Sequence, residues 1–170
     1  MRFYIRNKWV SFTGSSVVKD ENENDAFKIK GKFFTFTRRK DLLTMNDEVI
    51  YTVKNRVIDW WGNKAYIFDK DGNQIVKIYR KVISLHDRYL IESDFGEMEV
   101  VGNILGFDYH ISLNGKEIGH VSRNISLRDS FALDTFTDFD PKLLIAMVIA
   151  IDNITDKRRE SSSAFFSSNN

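Results

Sequence analysis

The sequence contains no cysteine and a single proline, Pro141, in 170 residues. Without thiols there is no disulfide, no thiolate nucleophile and no Cys-ligated zinc, and the composition fits a reducing compartment. An excess of charge of one sign is also lacking. Twenty-five Lys and Arg stand against 24 Asp and Glu, a net charge of +1. No global field therefore favours nucleic acid or an anionic membrane, and any such binding needs a local patch. The opening MRFYIRNKWV has a positive start but no unbroken apolar run and no small-residue cleavage site. No signal peptide is expected, and a cytoplasmic location is the default. Nor does any apolar run reach the ~20 residues of a membrane-spanning helix.

The longest apolar run is Leu143, Leu144, Ile145, Ala146, Met147, Val148, Ile149, Ala150 and Ile151, flanked by Lys142 and Asp152. Asp140 and Pro141 before it supply two helix-start signals: a carboxylate for the first free N–H groups, and a ring whose missing donor costs nothing there. A helix over about 141–153 is expected. Being apolar on every face, it cannot lie on a surface and must be surrounded by protein.

Aromatic residues are abundant, with 14 Phe, 6 Tyr and 3 Trp, and a recurring pentad runs through the chain: KWVSF from Lys8, KFFTF from Lys32, RVIDW from Arg56 and KVISL from Lys81. The spacings are 24, 24 and 25, and a shortened copy, NISL, starts at Asn124. Turn residues precede the later copies: Glu23 and Asn24, Asn46 and Asp47, Asp71 to Asn73, and Asn114 and Gly115. Such residues tolerate the positive φ of tight hairpins. The interval before the last copy has room for an extra strand pair around GEMEVVGNILGFDYHI. Within the repeats Ile75 aligns with Ile118 and Ile78 with Val121. The pentad breaks strand alternation, which implies a bulge or bend there. Repeated hairpins that curve in this way predict a mainly β protein, a barrel of ten to twelve strands. A barrel of that size is too wide for its own side chains to fill, and the helix is its expected plug. One domain over 1–158 is expected, with a disordered Ser-rich tail over 159–170.

The succession YIRNKWVSF, KIKGKFFTF, DKDGNQIVKIYRK, MEVVGNILGFDYHIS and LLIAMVIAIDNI resembles the LURP-one-related proteins, particularly the short bacterial members. These fall within the Tubby C-terminal-like superfamily, which includes phospholipid scramblases. The resemblance runs from about residue 1 to 154. It implies a closed barrel of about twelve strands around a central hydrophobic C-terminal helix. Relatives often carry an aromatic-rich KWFSW where this chain has KVISL and NISL.

Catalytic signals are sparse. His86, His110 and His120 form no spaced ligand set. His110 and His120 lie across a predicted hairpin without a marked third ligand, so they read as ordinary strand histidines, and no metal or cofactor is expected. DKDGNQ (69–74) has its glycine too early and Arg80 in place of the final Glu of a calcium loop, and reads as a hairpin turn. Glu97 and Glu99 share a predicted strand face with nothing to activate either.

The basic residues form a tighter constellation. Lys28, Lys30 and Lys32 alternate with Phe27, Ile29 and Gly31 and so share one strand face, with Arg38, Arg39 and Lys40 just beyond. One reading is a site for an anion or an anionic phospholipid headgroup, in keeping with the phosphoinositide binding of the Tubby branch. The other is a solvated face whose lysines discourage edge pairing. The phenylalanines between these charges are assigned to packing, so nucleic acid is not an expected partner. A non-catalytic binding or scaffold protein is the first expectation. The second is a protein-interaction module acting through a sheet edge or the C-terminal tail, and the third an enzyme whose pocket several repeats build jointly.

Overall fold

The computed structural model describes residues 1–6, 15–31, 39–56, 64–81, 88–124 and 130–167, with no side chains described beyond Thr155. Twelve strands precede one helix. The first six are β1 (Arg2–Arg6), β2 (Ser15–Lys19), β3 (Asp25–Gly31), β4 (Lys40–Leu43), β5 (Val49–Arg56) and β6 (Lys64–Phe68). The rest are β7 (Gln74–Lys81), β8 (Arg88–Ser93), β9 (Met98–Asn103), β10 (Asp108–Leu113), β11 (Lys116–Asn124) and β12 (Ser130–Thr135), followed by α1 (Pro141–Ser167). Each strand pairs with the next in sequence, and β12 returns to β1 to close the barrel. That closing pair is antiparallel, from Arg2 opposite Asp134 to Arg6 opposite Ser130. The extra strand pair expected before the last repeat is β9 and β10.

The repeat is visible at the hairpin turns. Asp20, Thr44 and Asp69 occupy equivalent places, each closing its turn with two backbone hydrogen bonds: Asp20 with Asn24 and Glu23, Thr44 with Glu48 and Asp47, Asp69 with Asn73 and Gly72. Their side-chain oxygens then accept from the amides two and four residues on. A short side chain that satisfies turn amides fixes the loop before any tertiary contact forms. Beside these turns each hairpin has an extra residue in its second strand. The register slips opposite Val18/Lys19, Leu42/Leu43, Ile67/Phe68 and Ile111/Ser112. Ala26, Ile50, Ile75 and Ile118 are the residues passed over, so the aligned Ile75 and Ile118 do the same job. Such bulges increase local twist and let a long meander coil into a barrel. The bend expected at the pentads falls almost wholly on residues 7–14, 32–38, 57–63, 82–87 and 125–129, outside the described residues.

The helix lies within the barrel. Every residue from Leu143 to Ile151 is at most 2 % exposed. It packs along β5, β6 and β7. Burial on all sides of a helix requires a wall all the way round, and the closed sheet provides it. Asp140 caps the start: its carbonyl accepts from Leu143 and Leu144 and its carboxylate from the Lys142 amide at 3.0 Å. The helix runs past the expected end near 153, and α1 continues to Ser167. No Pro or Gly interrupts 154–167, and serine costs a helix little per residue. Among the described residues no helix is long and apolar enough to cross a membrane.

Candidate functional site

The basic face begins on β3. Ile29 is fully buried in the core, and strand alternation turns Lys28 and Lys30 to the outside. Both ammonium groups reach one carboxylate, Asp47 in the β4–β5 turn: Lys28 Nζ donates to Oδ1 at 3.2 Å and Lys30 Nζ at 2.7 Å. Asp47 can stand there because it adopts a left-handed backbone, φ +66°, which Asp tolerates better than most residues. The hydrogen bonds from Lys30 and Lys28 hold its carboxyl below the ordinary range. The next strand adds a second carboxylate, since Asp41 lies opposite Lys30 in the register. Asp41 accepts from Arg39 Nε at 2.9 Å and from the Thr52 hydroxyl at 2.7 Å.

Of the six predicted basic residues, Lys28 and Lys30 are thus brought together, and Arg39 is tied to Asp41 on the adjoining strand. Lys32 and Arg38 lie outside the described residues. Lys40 is not on this face at all. Its ammonium stands 3.5 Å from the Asp152 carboxylate of α1, with side chains 12 % and 5 % exposed. Period two puts Lys40 on the same side of β4 as the fully buried Leu42, so it points inward and belongs to the interior. Sequence reasoning missed Asp41, Asp47 and Asp152. The first two relieve the repulsion expected among the cations from within the chain. A charge inside an apolar helix, such as Asp152, is itself a signal that a buried cation must exist.

The described face therefore sets three cations against two carboxylates. Lys28, Lys30 and Asp47 are held by exposed ion pairs, which are worth little individually and exchange readily for another anion. At the other predicted positions, Asp69–Asn73 is a hairpin turn as expected. Glu97 lies just before β9, where its backbone amide donates to Asn114 Oδ1 at 2.9 Å, and Glu99 on β9 pairs with Arg88. Inside the barrel a polar layer accompanies Lys40 and Asp152: Asn153 donates to Asn55 at 3.1 Å, and Tyr109 is 1 % exposed. Burial, with the nearby Asp152 charge, pushes the Tyr109 hydroxyl well above its ordinary range.

A family model described as LURP-one-related matches residues 1–152. No curated protein matches the chain, and no solved structure does.

Proposed function

The chain belongs to the LURP-one-related family, and on that premise we propose a non-catalytic binding protein that meets its ligand on the outside of the barrel. The observation that carries this reading is the filled interior. The space in which a barrel of this width would hold a small molecule is taken by the side chains of Leu143 to Ile151. The ligand class that suits the outer β3–β4 face is an anionic phospholipid headgroup, which would replace Asp47 between Lys28 and Lys30. The protein is then cytoplasmic and peripheral to the membrane. Lipid translocation is not part of this reading, because α1 is needed to fill the core.

The alternative of a protein-interaction module loses one of its two routes. Among the described residues every strand has a neighbour on each side, which leaves no wholly unpaired strand there for an added one to join, and the C-terminal part of α1 is the route that remains in this reading. Flotation with vesicles containing phosphatidylserine, against neutral vesicles, tests the proposal. Each basic residue near an anionic surface contributes about 1 kcal/mol, roughly fivefold in partition. Lys28→Glu with Lys30→Glu should abolish flotation, and Asp47→Asn, which removes the internal competitor, should strengthen it severalfold. Equal flotation of all three proteins would remove the lipid reading. A partner captured by the whole chain but lost when 160–170 are deleted would support the alternative.

A further inference from the structure

The outer face of β10 and β11 carries a cluster that the headgroup reading does not use. His110 and His120 are direct cross-strand partners, and their rings stack with centroids 4.4 Å apart and planes 7° from parallel. One nitrogen of each ring engages a carboxylate: His110 Nδ1 lies 2.8 Å from Glu117 Oε1, and His120 Nε2 lies 3.0 Å from Asp108 Oδ1. Asp108 stands two residues before His110 on β10, on the same face. One ligand atom from each of Asp108, His110 and His120 lies within 4.8 Å of the others.

We propose that Asp108, His110 and His120 bind a divalent transition-metal ion of the zinc class, with Glu117 as the positioning residue for His110. Two imidazole nitrogens and one carboxylate oxygen are a donor set that suits Zn²⁺ and its neighbours and does not suit Mg²⁺ or Ca²⁺, which take oxygen ligands. Tetrahedral coordination with bonds of about 2.0–2.1 Å places ligand atoms about 3.3 Å apart. The His120–Asp108 separation of 3.0 Å needs to open by only a few tenths of an ångström. The third ligand must turn out of the stack, because two imidazoles 7° from parallel cannot both aim an in-plane nitrogen at one ion, and there is room for that side-chain movement: His110 is 54 % and Asp108 69 % exposed. The backbone underneath is fixed by the β9–β10 and β10–β11 ladders. With Glu117 on Nδ1, His110 presents Nε2 to the ion, the arrangement in which a carboxylate orients a metal-bound imidazole. Three protein ligands leave a fourth position for water or for an incoming donor.

The test is calorimetric titration of the full-length, tag-free chain, stripped with chelator, using ZnCl₂ and, in parallel, MgCl₂. The expected result is one Zn²⁺ per chain, no response to Mg²⁺, and a tetrahedral Co²⁺ absorption spectrum when cobalt is substituted. His110→Ala and His120→Ala should each abolish binding, and Glu117→Gln should weaken it about tenfold. His86→Ala, which removes the other histidine in the sequence, should leave it unchanged. His110 and Glu117 are exposed and His120 partly so, and circular dichroism melting of the metal-free proteins checks that each variant folds. Absence of saturable binding, binding that survives loss of His110 and His120, or binding that disappears with His86 would overturn the proposal.

Discussion

The Lys40 ammonium and the Asp152 carboxylate face one another at 3.5 Å inside the barrel, joining β4 to the central helix by charge. An ion pair in such a place contributes little net stability, but removing one partner takes from the other buried charge an attraction that offsets its desolvation. Lys40→Met should therefore lower the unfolding free energy by about 3 kcal/mol. Adding Asp152→Leu should recover most of that loss. Urea denaturation of the two single variants and the double variant reads the coupling directly, and strictly additive losses would show that the two charges do not depend on each other.

At the opposite end of the helix's buried part, the Tyr51 hydroxyl donates to Asp140 Oδ2 at 2.8 Å. Burial first, and then the Asp140 hydrogen bond, push the Tyr51 hydroxyl above its ordinary value of 10.0. A folded-state value above the unfolded one means that this contribution is fully present below about pH 10 and is lost as the pH rises beyond it. Tyr51→Phe should cost about 1–2 kcal/mol at neutral pH and flatten the alkaline decline. Denaturation midpoints taken from neutral to strongly alkaline pH would show whether the two profiles converge.

Two glycines should respond differently to the same change. Gly102 has φ +143°, and a Cβ there would sit 2.6 Å from the Asp108 carbonyl oxygen and 2.7 Å from Tyr109 Cα, both backbone atoms. Gly72 has φ +88° in its turn with nothing within 4 Å. Gly72→Ala should cost about 1 kcal/mol for the left-handed backbone alone, whereas Gly102→Ala should cost more than about 2 kcal/mol because strand β10 must also move. Thermal melting ranks the pair, and equal losses would contradict the close approach of β9 to β10.

The barrel was legible in the sequence because its unit is local. Glu23-Asn24, Asn46-Asp47 and Asp71 to Asn73 mark the turns in the sequence, and Asn114-Gly115 supplies adjacent positive φ values of 50° and 76°, so the hairpins can be read without tertiary knowledge, although the residues that close them, Asp20, Thr44 and Asp69, were not picked out. The helix was legible because nine successive apolar residues leave no polar face. The basic site was only half legible. Lys28 and Lys30 follow from alternation with Phe27 and Ile29, but their counter-ion, Asp47, reaches them from the next hairpin, and no local pattern indicates that contact. Lys40 was misplaced because a run of three basic residues reads as surface, although its two-residue spacing from Leu42 already pointed inward. The stacked histidines were seen as a pair. Asp108 was missed because its approach to His120 depends on the β10–β11 register, which no spacing in the sequence prints.

The most direct measurement is native-state amide hydrogen exchange along α1, compared with β6 and β7. A helix sheathed on every side can exchange only when the barrel opens, so the amides of Leu144 to Ile151 should exchange with the free energy of global unfolding, matching the slowest strand amides. Exchange of these amides through a local opening, at a markedly lower free energy than the strands around them, would contradict the enclosed helix.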